Sequence, residues 1–187
     1  TYCVLASDPA TTCTGWTGGK THTSDSNSDI AFHANSSRDI DGLCIRQGCW
    51  DLAGTLQSSW GNPFIAMSQL GTSYHSANRG VTTLGRYYSP KWSDTNVYCF
   101  DFVTGTACKD AAGTNAFAGL TTSNWYMAEV DPENPACLWV NSDLRKIANF
   151  DAWTGAAGCA SNPVITLQPS QFAPRYACST ADGIDLW

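Results

Sequence analysis

A short motif that recurs about every fifty residues constrains the fold of this chain more than any other feature. Residues 100–105 read F-D-F-V-T-G, and residues 150–155 repeat this pattern as F-D-A-W-T-G. Residues 50–55, W-D-L-A-G-T, are a looser copy that is one residue shorter before its glycine. Glycine after a strand permits turn conformations that other residues resist. Self-similarity at this period predicts an array of similar β-units that bury their faces against one another.

The segment before the second copy alternates with the period of two that is typical of a β-strand. Two sets of side chains are expected to face opposite ways: Tyr98, Phe100 and Phe102 on one side, and Val97, Cys99, Asp101 and Val103 on the other. A segment that recurs near positions 50 and 150 is expected to be scaffold. We therefore expect its aspartate to shape a turn and to do no chemistry.

The composition favours a secreted or cell-surface all-β protein. Charged residues are 14% of the chain, which is below the usual fraction of about 25%. Nine cysteines indicate an oxidising compartment. The net charge of −6 and the scattered lysines and arginines argue against a nucleic-acid partner. No apolar run approaches the length of about 20 residues that spans a bilayer, so no membrane span is expected.

The pattern of turns and apolar runs predicts one all-β domain over residues 1–187, built of about four strand–hairpin units. Residues 1–13 read as a hairpin, and residues 81–88 read as one strand rich in β-branched and aromatic residues. Residues 64–70 are the one helical candidate, with Pro63 suited to a first helical position. The domain can stand alone or form part of a larger assembly or chain.

The cysteine spacing predicts four local disulfides, since each pair lies in or beside a hairpin. The predicted pairs are Cys3–Cys13, Cys44–Cys49, Cys99–Cys108 and Cys137–Cys159. Cys178 is then left over. It is either a buried free thiol or the site of a bond to another chain or to a further part of the same polypeptide.

The D-x-x-T-G turn resembles the outer hairpin in blades of quinoprotein-like and related secreted bacterial β-propeller repeat proteins. The resemblance rests on residues 50–55, 100–105 and 150–155. It implies a disulfide-stapled, β-propeller-like repeat fold, and it transfers no cofactor and no catalytic residue. An irregular β-sandwich is the alternative fold.

No motif for catalysis marks the chain. It contains no G-x-S-x-G elbow, no H-E-x-x-H pair and no phosphate-binding loop. We assign no catalytic residue, and we lean towards a protein that is not an enzyme. If the chain were a hydrolase, His75 and Asp131 would be the first residues to test.

Residues 25–29, D-S-N-S-D, match the first half of a calcium-binding loop. Isoleucine replaces the usual glycine of such a loop, and the usual final glutamate is absent. Five residues are the candidate metal ligands: Asp25, Asn27, Asp29, Asp39 and Asp41. A solvated loop without calcium is the alternative. No other cofactor is expected.

Flat aromatic side chains beside Asn and Asp can hold sugars by stacking and hydrogen bonding. Four aromatic residues near loops or strand ends are candidates for ligand binding: Trp60, Trp92, Trp125 and Tyr126. Three others in strand-like runs are expected in the core: Trp50, Trp139 and Trp153.

The leading hypothesis is a non-enzymatic extracellular structural or adhesive module, such as a subunit of a surface or filament assembly. It would bind other protein chains, including copies of itself, or glycans. The alternatives are a secreted hydrolase acting on a polysaccharide or ester, and a sugar-binding lectin-like domain. A binding site is expected where the repeats disagree, in residues 14–43 or 56–80.

Overall fold

The computed structural model describes residues 4–5, 8–12, 30–68, 80–90, 96–108, 116–119, 125–142, 146–159, 164–166, 177–180 and 183–186. These residues form three small antiparallel sheets, two hairpins and one short helix. The all-β class is therefore confirmed. Among the described residues no helix is long and apolar enough to cross a membrane.

The strands follow one another closely in chain order. The first hairpin contains β1 (Val4–Leu5) and β2 (Asp8–Thr12), as residues 1–13 predicted. The first sheet contains β3 (Ala31–Ala34), β4 (Ile40–Ile45) and β5 (Gly48–Asp51). Helix α1 (Pro63–Ser68) follows it. The second sheet contains β6 (Val81–Thr83), β7 (Arg86–Pro90), β8 (Asn96–Asp101), β9 (Thr106–Ala107) and β10 (Ala116–Gly119). The third contains β11 (Trp125–Val130), β12 (Cys137–Ser142), β13 (Lys146–Asp151) and β14 (Val164–Thr166). The last hairpin contains β15 (Ala177–Thr180) and β16 (Gly183–Leu186).

The three sheets share one plan. In each sheet the third strand ends at the aspartate of the motif, and the chain then returns to pair antiparallel with that strand. The returning pairs are Trp50 with Leu56, Phe100 with Ala107, and Phe150 with Ala157. The residue after each aspartate donates its backbone N–H to a carbonyl at the start of the second strand or directly before it. These bonds run from Leu52 to Asp41, from Phe102 to Gly85 and from Ala152 to Ala136. The sequence repeat is thus a structural repeat.

The aspartate of the motif shapes the turn, as expected. Oδ1 of Asp101 accepts the backbone N–H groups of Val103, at 2.9 Å, and Thr104, at 3.3 Å. Asp151 accepts the matching two N–H groups of its own turn at 2.9 and 2.8 Å. Gly105 closes its turn with a φ of 68°, which suits glycine. The carboxylate therefore satisfies backbone donors that would otherwise lack partners.

The second sheet lies between the other two, and its two faces form two cores. One face packs against the first sheet and α1, and it carries Tyr87, Tyr98, Phe100 and Phe102. The opposite face packs against the third sheet, and it carries Tyr88, Val97 and Cys99. The alternation predicted from Val97 is confirmed as far as Phe102, whereas Val103 is exposed in the turn after β8. Burial of a large apolar side chain contributes about 1.5–3 kcal/mol, so these two junctions hold the stack together.

Helix α1 begins where the sequence predicted a helical turn. The Asn62 side chain accepts the backbone N–H of Phe64 at 2.9 Å and caps the helix. The same side chain donates to the carbonyl of Ile45 at 2.8 Å and so ties the helix to the first sheet. The ring of Phe64 then lies 5.4 Å from that of Tyr87 in the second sheet.

The prediction of one strand over residues 81–88 was wrong. The segment forms a hairpin, because Leu84 and Gly85 both take positive φ values, 52° and 70°, between β6 and β7. Two consecutive residues of positive φ are typical of the two-residue turn that joins twisted antiparallel strands.

Three of the four predicted disulfides are confirmed: Cys44–Cys49, Cys99–Cys108 and Cys137–Cys159. Each closes within one of the three sheets. Cys3, Cys13 and the side chain of Cys178 lie outside the described residues. The described sheets form no closed barrel, and a propeller ring is not confirmed.

Candidate functional site

The outer face of the first sheet carries an exposed apolar patch. The strand register places Phe32 beside Leu43, Leu43 beside Trp50, and Trp50 beside Leu56. Leu52 follows in the turn, at the position of Phe102 and Ala152, which lie in the same buried clusters as Phe100 and Phe150. The exposed fractions are 49% for Phe32, 61% for Leu52 and 57% for Leu56. We call these five residues the apolar face of the first sheet.

The matching residues of the other two sheets are buried. Phe100 and Phe102 hold the positions in the second sheet that Trp50 and Leu52 hold in the first. Both phenylalanines pack against the first sheet. Phe150 and Ala152 hold these positions in the third sheet and pack against the second. Each of the four is at most 7% exposed. The first sheet therefore exposes the face that the other two sheets use for packing.

A cluster of two arginines, an aspartate and a tryptophan joins all three sheets. Arg86 Nε lies 2.8 Å from Asp101 Oδ2, and Arg38 Nη2 lies 3.4 Å from the same oxygen. Both guanidinium groups stack on the Trp153 ring, at 4.5 Å for Arg86 and 4.8 Å for Arg38. Arg38 also donates to the carbonyl of Leu84 at 2.7 Å. We call these four charged and aromatic residues the arginine clasp.

The surroundings of the clasp change two pKa values. Burial raises the pKa of Asp101, but the hydrogen bonds from Arg86 and the Thr104 N–H, with the charge of Arg38, bring it below its ordinary value. Burial raises the pKa of Tyr88, whose hydroxyl donates to the carbonyl of Ala152 at 2.5 Å. Asp101 is thus an ionised structural group.

The expectation that Trp153 belongs to the core was wrong. Its side chain is 41% exposed, since it covers the two guanidinium groups at the edge of the stack. Trp50 and Trp139 are partly buried. The Nη1 group of Arg86 donates to the carbonyls of Ala152 and Trp153, both at 3.3 Å. The clasp therefore holds the third sheet to the second.

A cleft of about 430 Å³ lies between the first sheet and the motif turn of the second. His33 and Trp60 stack in its wall with ring centroids 3.6 Å apart and planes 7° apart. The Nδ1 atom of buried His33 lies 2.5 Å from Asp41 Oδ1. Phe102 packs obliquely on the imidazole, at 4.9 Å. Since the His33 ring is held on three sides, the cleft has a preorganised wall.

Gly42 allows Trp60 to lie against the sheet. A Cβ atom at Gly42 would clash with the backbone carbonyl oxygen of Trp50 and lie 2.5 Å from the Trp60 ring, so any other residue would force the strand or the indole to move. The glycine therefore sets the depth of the cleft wall.

The structure brings one of the four predicted aromatic ligand residues, Trp60, into this cleft. Trp92 lies outside the described residues, as do the side chains of Trp125 and Tyr126. Ligand binding by these four residues stays a prediction.

The candidate calcium ligands are only partly described. Asp25, Asn27 and Asp29 lie outside the described residues. Asp39 is exposed in the turn before β4, and Asp41 is engaged with His33. Among the residues that the structure describes, no three His, Cys, Asp or Glu side chains gather into a metal site. Calcium binding stays a prediction.

Of the two residues named for a hydrolase, His75 lies outside the described residues. Asp131 serves the turn after β11: Oδ1 accepts the N–H of Glu133 at 2.9 Å, and Oδ2 accepts the Trp139 indole N–H at 3.1 Å. Its carboxylate has a structural role here.

The pairing of His33 with Asp41 was missed by sequence reasoning. A histidine between Phe32 and Ala34 in the strand-like run 31–34 was the available signal, because a buried imidazole needs a hydrogen-bond partner. The partner could not be identified without the register of β3 and β4.

The comparisons with known proteins leave the family open. No protein-family model and no curated protein sequence matches the chain. One solved structure is similar, the crystal structure of the computationally designed Ika4 protein, at 16% identity. The match covers 90% of this chain and 93% of that one, with a TM-score of 0.37. At that TM-score the similarity supports no conclusion about the fold.

Proposed function

We propose that this chain is a non-enzymatic extracellular structural module that associates with a second copy of itself through the apolar face of the first sheet. The observation that carries the proposal is the exposure of this face, whose counterparts in the other two sheets are buried. A surface built for sheet packing and left uncovered is typical of a protein–protein contact.

The far side of the third sheet indicates how the two copies meet. Ile147 and Asn149 lie on the side of β13 opposite Phe150, and both are buried. A head-to-tail stack would need that side to be free. The first sheets of two copies are therefore expected to pack on each other about a two-fold axis, as in most symmetric dimers.

Extracellular location fits the three disulfides, which persist in oxidising compartments. The repeated packing of sheet on sheet also supports an open, propeller-like arrangement in which the first sheet stands at a free end, and this arrangement is part of the proposal.

Two variants test the self-association. We expect the double substitution Phe32→Ser and Leu56→Ser to weaken dimerisation at least about 100-fold, since each large apolar side chain contributes about 1.5–3 kcal/mol when buried. Sedimentation velocity over a wide concentration range, without reductant, measures the effect.

Ile65→Ser is the matched control, because Ile65 is exposed to a similar degree but lies on α1, away from the apolar face. It should leave the dimer intact. A wild-type chain that stays monomeric at all concentrations, or a control variant that dissociates equally, would refute the proposal.

A further inference from the structure

We propose that the cleft between the first and second sheets binds a neutral saccharide, held by Trp60 and the His33–Asp41 pair. This inference does not depend on the proposed self-association. It rests on the size of the cleft, its aromatic wall, its hydrogen-bonding groups and its charge.

The cleft has the dimensions of a small-ligand site. Its volume of about 430 Å³ lies within the range of about 300–1,000 Å³ that is typical of such sites. One wall belongs to the first sheet, and the other is the motif turn at residues 102–105. The carboxylate cap of that turn fixes the position of the second wall.

The aromatic wall provides the stacking surface. The Trp60 indole lies parallel to the His33 imidazole, and Gly42 keeps space for it against the sheet. A flat ring that is already held in place loses little entropy when a ligand binds. The C–H face of a sugar ring is apolar and packs on such a surface.

The polar groups of the cleft match the hydroxyls of a sugar. The Asp41 side chain remains 31% exposed while it binds His33. An ionised carboxylate offers about four acceptor sites, so Asp41 can accept from His33 and from ligand hydroxyls together. The Ser36 and Ser59 hydroxyls line the same cleft and can donate or accept.

The charge of the cleft selects against anions. Among the residues that the structure describes, its lining contains no lysine or arginine and carries one carboxylate. A phosphate or an acidic sugar would therefore meet like charge and find no cationic partner. The guanidinium groups of the arginine clasp lie at the next junction, where they already donate to protein acceptors.

Adjacent serines provide a matched pair of variants. Ser36 and Ser37 are both exposed in the turn between β3 and β4, but only Ser36 lines the cleft. Ser36→Trp should obstruct the cleft without disturbing the core, whereas Ser37→Trp places the same bulk outside it.

Titration calorimetry and the NMR shift of the Trp60 indole N–H measure binding of glucose, galactose, mannose, N-acetylglucosamine and cellobiose. At least one probe should bind with a Kd in about the millimolar range or tighter, with a shift at Trp60. Ser36→Trp should weaken binding at least about 10-fold, and Ser37→Trp should leave it unchanged.

Three results would overturn the inference: no shift at Trp60 with any of the five sugars, equal weakening by both tryptophan variants, or tighter binding of inorganic phosphate than of every sugar. The same titrations on the Phe32→Ser, Leu56→Ser variant keep the two proposals separate. Saccharide binding should persist there, whatever the state of association.

Discussion

The second sheet forms one junction with the first sheet and another with the third. The strand register is equivalent at the two junctions, but different side chains occupy the space between the sheets. Gly42 pairs with the motif aspartate Asp51, and Arg86 pairs with the motif aspartate Asp101. At the first junction the glycine leaves room for the Trp60 ring and the cleft. At the second the arginine side chain takes the matching place. One residue position thus decides whether a junction is open or filled.

The two junctions also differ in electrostatics. The second junction buries an ionised aspartate between two arginines, and breaking such a pair leaves an uncompensated buried charge. At the first junction Asp51 binds neutral donors, the Thr55 N–H at 2.8 Å and the Gln57 amide at 2.7 Å. The repeated scaffold therefore supports a charged contact in one place and a neutral cleft in the other.

The largest expected effect comes from removing the charge at the filled junction. Asp101→Ala should lower the free energy of unfolding by about 3–5 kcal/mol, because Arg86 loses its buried partner and the turn loses its cap. Urea denaturation under non-reducing conditions measures the change. Asp51→Ala removes the matching turn cap without an arginine partner and should cost about 1 kcal/mol.

Acid provides a second readout for the same substitution. Because the pKa of folded Asp101 lies below its ordinary value of 3.8, its contribution to stability is complete above that value. The contribution is lost as the pH falls through the lowered pKa, since the unfolded chain then binds the proton more readily. Asp101→Asn should remove this component of acid denaturation. An unchanged acid profile would show that the clasp does not hold the charge as described.

A smaller effect is expected from closing the open junction. Gly42→Ala places a Cβ atom against both the Trp50 carbonyl oxygen and the Trp60 ring, so it should cost about 1–3 kcal/mol and shift the tryptophan fluorescence. Gly105→Ala is the control: its Cβ meets no atom within 4 Å, and only its φ of 68° opposes the substitution, at about 1 kcal/mol. If the two variants were equally stable, the close packing of the Trp50 carbonyl and the Trp60 ring around Gly42 would not matter.

The smallest loss of stability should come from removing the Trp153 ring that covers the two arginines of the clasp. Trp153→Ala removes two cation–π contacts at the edge of the second junction and should cost about 1 kcal/mol. Trp153→Phe should recover part of that loss, because a smaller ring still offers a face. Thermal unfolding followed by far-UV circular dichroism can resolve the order of the wild type and the two variants.

The parts of the fold that depend on nearby residues could be predicted from the sequence. The turn at Asp101 and the Cys99–Cys108 disulfide both lie within about ten residues, where alternation and glycine determine the geometry. The helix start at Pro63 was predictable for the same reason.

The parts of the fold that depend on distant contacts could not be predicted from the sequence. Leucine gives no local signal for a positive φ at position 84, but the Arg38 side chain from another sheet donates to its carbonyl and supports the turn. Trp153 was expected in the core, because nothing near it in the sequence indicated two arginines above its ring. The His33–Asp41 contact in the cleft likewise required the strand register.

The placement of the three disulfides has a mechanical consequence. Each closes within its own sheet, so among the described cysteines no covalent bond spans either junction. A force that pulls the chain from its ends would separate the sheets at the junctions first. The disulfides would then keep the residues between each cysteine pair from being extended. The 22-residue separation of Cys137 and Cys159 alone would withhold roughly 75 Å of extension. Because reductant opens all three bridges, single-molecule stretching with and without reductant should show a difference of at least this length between the two final extensions.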